Sequence, residues 1–296
     1  MRRWQADLTL AGLALIWGAT FVVVQNALDI VGPLTFVAWR FVLAAAVLGG
    51  LFWRRMGGLT RADVLAGSWL GVFMTGGYIF QTIGLQTTSS AKAAFITGLS
   101  VVIVPVLATL LLRRPPGRAP IVGIVLATVG LAALTLNRDL SIQRGDLWVL
   151  ACAMMFALHI VGVSHFSPRH DTIRLTLVQI VVVMVLGTAS AFAFERPTLT
   201  LPANTWGAIA FTGVVATALV FSLQVHVQRF TTPTHTALLF SLEPVFAAFF
   251  GWWWAGELLG PREWIGCGLI LGGMLVAEFG GPKEEHPKPL PLIDPI

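Results

Sequence analysis

The chain is poor in charged residues and in cysteine. Asp, Glu, Lys and Arg together make up 11% of its 296 residues, whereas apolar residues make up 56%. Soluble domains carry about 25% charged residues, so this composition argues against a soluble globular domain and favours a chain embedded in a lipid bilayer. The two cysteines, Cys152 and Cys267, lie in separate apolar runs. They therefore provide neither a disulfide framework nor a cysteine-rich metal site.

The signatures of several enzyme classes are missing as well. The only lysines are Lys92, Lys283 and Lys288, and none is followed by Ser or Thr, so the sequence has no P-loop and we expect no use of ATP. The apolar runs contain no HExxH, no GxSxG and no Asp-rich metal motif. We therefore predict no enzyme activity, no cofactor and no metal. The net charge of +5 comes from short basic clusters between apolar runs, which does not suggest a nucleic-acid partner.

What the sequence does contain is a series of long apolar runs. A helix needs about 20 mainly apolar residues to cross a bilayer, and ten such runs can be placed. Because the runs are continuously apolar and do not alternate, they predict an all-α polytopic membrane protein and not a barrel. The predicted helices span residues 7–28, 33–52, 63–86, 90–112, 119–136, 146–167, 172–194, 205–230, 234–256 and 261–280. The first run has no clear cleavage site, so it is interpreted as a retained helix.

The basic residues predict the orientation in the membrane. If the amino terminus is inside, thirteen Lys and Arg residues fall on the cytoplasmic side and five on the outer side, with Arg40 inside a helix. This bias predicts that both termini are cytoplasmic and that the protein lies in a bacterial inner membrane. Residues 281–296 contain five prolines, two lysines and three acidic residues, so a disordered cytoplasmic tail is expected there.

The two halves of the chain resemble each other. At an offset of 143–144 residues, Thr87-Thr88 matches Thr231-Thr232, and Gly123 and Gly130 match Gly266 and Gly273. Near the start of each half, Asp7-Leu8 matches Asp146-Leu147. These matches predict two repeats, over 1–136 and 145–280. Because each repeat holds five helices, an odd number, the two would have opposite orientations around a central cavity, an arrangement used for alternating access.

Three short motifs resemble a known family. They are Trp17-Gly18-Ala19-Thr20-Phe21, Arg40-Phe41, and Ser241-Leu242-Glu243-Pro244-Val245 followed by Gly256-Glu257. Together they resemble the EamA group of the drug/metabolite transporter superfamily. The resemblance implies two inverted five-helix repeats and export of small metabolites, often amino acids or related compounds. Leu99-Ser100 stands where the repeat would place a second Glu-Pro pair, so a carboxylate role would belong to the second half alone.

Ionisable residues inside apolar helices are the first candidates for function. Glu243 is expected near the membrane midplane, where its carboxylate could bind a proton or an amine and is the candidate coupling residue. Pro244 follows it and removes a backbone N–H, which could leave a carbonyl free for a ligand. Arg40 is expected about 10 Å deep, in a gating or structural role, with binding of a substrate carboxylate as the alternative. Lys92 could face the cavity or lie at the interface.

Further residues are predicted to line the cavity or to set helix packing. The cavity candidates, besides Glu243, are Trp17, Thr20, Tyr78, Gln81, Phe95, Phe156 and His159. Each could equally serve ordinary packing or hydrogen bonding between helices. The pairs Gly67/Gly71 and Gly268/Gly272 have GxxxG spacing and predict close helix approach.

The sequence therefore predicts a secondary transporter that exports small metabolites by alternating access. Its expected partners are a small-molecule substrate and the lipid bilayer. Coupling to protons and uncoupled transport both stay open, as do a channel, a lipid translocase and a membrane scaffold that transports nothing.

Overall fold

The computed structural model describes residues 1, 3–88, 90–113, 115–135, 143–255 and 260–279. Within these ranges the chain is helical and contains no β-strand. The helices are α1 (Arg3–Leu28), α2 (Pro33–Met56), α3 (Arg61–Gly84), α4 (Ser90–Gly98), α5 (Ser100–Leu112), α6 (Arg118–Thr135), α7 (Arg144–Phe166), α8 (Thr172–Phe194), α9 (Ala203–Ala210), α10 (Val220–Gln228), α11 (Pro233–Phe240), α12 (Glu243–Ala255) and α13 (Pro261–Phe279). A π-helical segment, Phe211–Leu219, joins α9 to α10. The predicted tail and the Gly256-Glu257 motif lie outside the described residues.

Six helical stretches of the described chain are long and apolar enough to cross a membrane. They comprise α1, α2, α7, α8, the α4–α5 stretch from Lys92, and the continuous helix from α9 to α10. The all-helical, membrane-spanning class is therefore confirmed, while the count of ten spans stays a prediction. The sequence-based bounds of the four uninterrupted spans agree with the structure to within about four residues at each end.

Two of the predicted helices are interrupted near their middle. The run 90–112 breaks at Leu99 into α4 and α5, and the run 234–256 breaks at Ser241-Leu242 into α11 and α12. At the second break the amide of Phe246 donates to the carbonyl of Leu242, which starts the new helix, and Pro244 takes the second position of α12. Proline is tolerated there because the amides of a first helical turn have no intrahelical partner. Both breaks fall at corresponding places in the two halves.

Helices α6 and α13 cross at matched glycines. A Cβ atom added to Gly123 would lie 2.5 Å from the carbonyl oxygen of Gly273, and one added to Gly130 would lie 2.7 Å from that of Gly266. The backbones are therefore in direct contact at two points. In the repeat Gly123 corresponds to Gly266, and Gly130 corresponds to Gly273. The Gly123–Gly273 contact is therefore the repeat counterpart of the Gly130–Gly266 contact.

The GxxxG prediction is correct for one pair and wrong for the other. Gly67 and Gly71 on α3 pack against Val178 and Val182 of α8, where an added Cβ would approach each valine Cβ to 2.6 Å. Gly268 and Gly272 on α13 have no described atom within 4 Å of an added Cβ. The spacing places both glycines of a pair on one helix face, but it does not specify what packs against that face.

Ion pairs and caps occur at both ends of the helix bundle. The "α1 end" is the end where α1, α3, α8 and α11 begin, and the "α2 end" is the end where α2, α4, α7 and α13 begin. At the α2 end Glu195, which follows α8, accepts hydrogen bonds from the amides of Leu34 (2.9 Å) and Thr35 (2.8 Å) and from the Thr35 hydroxyl (2.6 Å). The carboxylate satisfies amides of the first turn of α2 and ties α8 to α2.

Candidate functional site

A central cavity extends from the middle of the bundle toward the α2 end. On α1 its wall begins at Trp17 and continues through Thr20, Phe21 and Val24. One to two turns earlier, Leu10 and Leu13 belong to a fully packed apolar cluster that closes the α1 end. The cavity therefore lies off-centre along the bundle and toward one end.

Trp17 anchors one wall of this cavity. Its ring lies 5.3 Å from that of Phe221 and 5.0 Å from that of Phe240, measured between centroids. Its indole N–H donates to the carbonyl of Ala216 at 3.0 Å. Ala216 lies in the π-helical segment, where the backbone hydrogen-bond pattern departs from that of an α-helix. The hydrogen bond gives the buried indole nitrogen a partner and fixes the ring against α10 and α11.

The glycine after Trp17 permits the closest approach between α1 and α12. A Cβ atom on Gly18 would lie 2.8 Å from the carbonyl oxygen of Glu243 and 2.9 Å from the Cβ of Phe246. Any larger residue would push α1 away from the helix break that carries Glu243. The Trp-Gly motif thus has a geometric basis, since the tryptophan lines the cavity and the glycine lets α12 approach.

Arg40 lines the cavity and is almost fully buried, with 4% of its surface exposed. Its Nε donates to the Thr217 hydroxyl at 2.7 Å and its Nη2 to the Tyr78 hydroxyl at 3.1 Å, and the guanidinium lies 4.5 Å from the centre of the Tyr78 ring. No described carboxylate lies within ion-pair distance of it. Neutral partners therefore orient the guanidinium, and no side chain in the described ranges neutralises its positive charge.

Glu243 lies at the first position of α12 and also lines the cavity. Within the described part of the chain, no side chain or amide donates a hydrogen bond to its carboxylate, and no basic group forms an ion pair with it. Pro244, its neighbour, lines the cavity as well. Since Pro244 has no N–H, it cannot donate to the carbonyl of Phe240 one turn earlier. The break therefore brings both a carboxylate and a helix-end carbonyl to this part of the bundle.

Uncharged polar groups occupy other parts of the cavity wall. His159 Nε2 lies 2.8 Å from Gln179 Oε1, and Gln81 donates to the Thr97 hydroxyl at 3.4 Å. Gln224 donates to Gln228 at 3.2 Å, but its own Oε1 is buried with no hydrogen-bond partner among the described residues. The polar side chains are therefore mostly satisfied within the protein, and Gln224 retains an acceptor.

The cavity includes most of the sequence-predicted candidates. Those that line it are Trp17, Thr20, Arg40, Tyr78, Gln81, Phe156, His159, Glu243 and Pro244. Phe95 does not line it and instead packs between two apolar clusters. Lys92 does not line it either and instead pairs with Asp146.

Sequence reasoning missed several lining residues. Thr97, Phe221 and Phe240 are not among the sequence candidates, and Ser100 is noted there only at the repeat position of Pro244, although all four line the cavity. Ser100 directly follows the break at Leu99, and a break at Gly98-Leu99 could have been suspected from the glycine alone. Phe221 and Phe240 carry no such signal, because one aromatic residue in an apolar helix resembles another.

The EamA-like transporter family model matches the chain twice, over residues 4–136 and 143–278. The chain belongs to the EamA-like transporter family. An uncharacterised transporter of Archaeoglobus fulgidus is 32% identical over 279 residues, which cover 94% of this chain and 87% of that protein. It follows that the chain is a multi-pass membrane protein of a transporter family.

More distant similarities extend over most of the chain. A protein of Chlamydia muridarum named as an S-adenosylmethionine/S-adenosylhomocysteine transporter is 24% identical, covering 89% of this chain and 88% of its own length. A solved crystal structure superposes with a TM-score of 0.76 at 18% identity and covers 92% of this chain and 97% of that one. The latter likeness establishes the fold alone.

Proposed function

We propose that this EamA-like protein is a secondary transporter that exports small zwitterionic metabolites, amino acids or related compounds, by alternating access. The observation that carries the proposal is the pair of opposite charges, Arg40 and Glu243, on the wall of one cavity. Neither charge has an ionic partner among the described side chains. Buried charges are retained in membrane proteins at a cost, which favours a role in binding the transported molecule.

The charges fit a molecule that carries both signs. A substrate carboxylate would bind the oriented guanidinium of Arg40, which can donate further hydrogen bonds. A substrate ammonium or sulfonium would bind the carboxylate of Glu243, next to the aromatic rings of Trp17 and Phe240, whose faces attract cations. S-adenosylmethionine, named for the Chlamydia relative, combines an amino-acid group with a sulfonium charge, so it belongs to the class we propose.

The repeat organisation supports alternating access. The family model matches each half separately. The two glycine contacts between α6 and α13 are repeat counterparts of each other. We propose that ten membrane-spanning helices form two inverted five-helix repeats, over residues 1–136 and 145–280, in a bacterial inner membrane with both termini in the cytoplasm. The halves would rock about the cavity, which here extends toward the α2 end while the cluster around Leu10 and Leu13 closes the α1 end.

Counterflow in proteoliposomes tests the function. Liposomes that contain the purified protein are loaded with one unlabelled compound. Their uptake of labelled amino acids, S-adenosylmethionine, S-adenosylhomocysteine and phospholipid is compared with the uptake by liposomes without the protein. We expect saturable exchange of a zwitterion. Exchange of the lipid alone would favour a lipid translocase, and no exchange of any compound would favour a scaffold.

Substitutions at the two charges test the site. E243Q is expected to reduce exchange at least tenfold and to alter its pH dependence, because a neutral amide cannot bind a cation or a proton in the same way. R40Q is expected to raise the KM most for substrates that carry a carboxylate. The matched controls are E263Q, at the start of α13, and R54Q, at the far end of α2, since neither residue lines the cavity. An unchanged rate and pH profile in E243Q would exclude the carboxylate from the mechanism.

A further inference from the structure

Two partly buried ion pairs connect the halves of the chain at opposite ends of the bundle. At the α1 end, His235 Nε2 lies 3.1 Å from Asp7 Oδ1. At the α2 end, Lys92 Nζ lies 2.6 Å from Asp146 Oδ2. Each pair joins the first helix of one half to the fourth helix of the other.

The two pairs occupy corresponding places. Asp7 and Asp146 lie within the first two turns of α1 and α7, and they are matched in the sequence repeat. His235 is the third residue of α11, and Lys92 is the third residue of α4. By helix and by position within the helix the pairs are counterparts, although Lys92 aligns with Thr236 when Thr87-Thr88 is aligned with Thr231-Thr232; the pairs differ in the basic residue.

That difference changes how each pair responds to protons. A lysine ammonium keeps its charge throughout the physiological range, whereas an imidazole gains or loses its charge between about pH 5 and 8. Asp146 also accepts hydrogen bonds from the Thr88 hydroxyl at 2.9 Å and the Gln143 amide at 2.8 Å. These two hydrogen bonds to the Asp146 carboxylate do not depend on the charge of its basic partner.

Asp7 lacks that support. Both of its carboxylate oxygens are shielded from solvent, and no described group meets the geometry of a hydrogen bond to either of them. The side chains of His235 and Asp7 are only 5% and 13% exposed. A buried carboxylate is costly without a compensating charge, so the charge on His235 determines whether Asp7 is compensated.

We infer that Asp7 and His235 form a proton-binding site, separate from Glu243, that holds α1 against α11 at the α1 end when a proton is bound. Loss of the proton leaves Asp7 uncompensated and weakens this contact. The same two helices carry Trp17 and Phe240 of the cavity wall. Protonation therefore favours the state seen here, in which the α1 end is closed.

Other ionisable groups lie at the α1 end of the elements packed around α1 and α11. In the described chain they are the amino terminus, Arg113 after α5, Arg118 of α6, His165 of α7, and His226 and Arg229 at the end of α10. None of them forms an ion pair with Asp7. A second His–Asp contact at this end, between His170 and Asp63 at 2.7 Å, joins α3 to the segment before α8, where Arg174 also approaches Asp63 at 3.5 Å. It is the main competing source of pH dependence.

The melting temperature of the purified protein in detergent tests the proton site without any transport assay. We expect the wild-type melting temperature to fall by about 2–4 °C between pH 6 and pH 8, on the scale of a contribution of about 1 kcal/mol. H235K should abolish this fall because its charge is permanent, and H170Q should retain it. A wild-type pH dependence in H235K, or its loss in H170Q, would overturn the inference.

A second variant keeps the test valid if lysine does not fit at position 235. D7N removes the carboxylate that needs compensation, so it should also abolish the fall and melt at least as high as the wild type at pH 8. A D7N protein that keeps the full pH dependence would equally overturn the inference.

The repeat provides a reciprocal experiment. K92H should create a pH dependence at the α2 end that is smaller than that of the Asp7–His235 pair, because Asp146 keeps its hydrogen bonds from Thr88 and Gln143. In proteoliposomes, the rate of substrate exchange by the wild type should rise severalfold as the pH at the α1 face is raised. The rate of exchange by K92H should respond to the pH on both faces. This transport consequence rests on the proposed function. If no compound is exchanged while the melting results hold, the proposed function fails and the proton site stands.

Discussion

Replacing Gly130 with alanine is expected to destabilise the protein by separating α6 from α13. The added Cβ would lie 2.7 Å from the carbonyl oxygen of Gly266 and 2.8 Å from the amide nitrogen of Ile270, where ordinary contact begins at 3.4 Å. The helices must therefore part by about 0.7 Å at a point where both neighbours are backbone atoms and cannot rotate away. Overpacking of this kind costs about 1–3 kcal/mol.

The gain in helix propensity from glycine to alanine, about 1 kcal/mol, offsets part of that cost. We expect a net loss of up to about 2 kcal/mol and a fall of up to about 8 °C in the apparent melting temperature measured in detergent. The matched control is G268A on α13, where an added Cβ meets no described atom within 4 Å, so the melting temperature should stay level or rise. Equal melting temperatures for G130A and G268A would refute the close contact of α6 with α13.

Two further substitutions test contacts that position the site. E195Q should lower the melting temperature by several degrees, because an amide carries no charge and cannot accept all three hydrogen bonds from Leu34 and Thr35. The expected loss of stability is about 1–2 kcal/mol. A melting temperature equal to that of the wild type would contradict this expectation. W17F keeps a ring against Phe221 but leaves the carbonyl of Ala216 without its donor. The substitution should lower the free energy of unfolding by about 1–3 kcal/mol, seen as a lower melting temperature in the same assay. An unchanged melting temperature would show that the Trp17 hydrogen bond does not stabilise the protein.

The helical frame could be predicted because apolar length and composition determine it. The bounds of α2, α7 and α8 follow directly from long apolar runs that end in turn or charged residues. Gly123 and Gly130 recur in the sequence as Gly266 and Gly273, and the structure brings these glycines into contact, while the inverted arrangement of the two repeats stays a prediction. Arg40 and Glu243 stood out because charge within an apolar helix is rare.

Other features depend on tertiary contacts that the sequence does not encode locally. Phe95 and Phe156 lie in similar apolar surroundings, but only the rotation of each helix decides that Phe156 lines the cavity while Phe95 packs in the core. Lys92 looked like an interfacial residue because its partner, Asp146, is 54 positions away and on the other half. The π-helical segment carries no sequence signal that we could identify.

The two ion pairs and the glycine crossing suggest which parts of the bundle move. Helices α6 and α13 touch through backbone atoms at two points, so any relative displacement would require both contacts to shift together. By contrast, α1 is held at the α1 end by a pair whose strength depends on one proton, and at its middle by the Trp17 hydrogen bond to the π-helical segment. Gly18 also places α1 against the backbone of α12, so these two helices, which both line the cavity, would be displaced together. Movement of α1 with α12 relative to a fixed α6–α13 pair is therefore the simplest way for this fold to open the cavity at the α1 end.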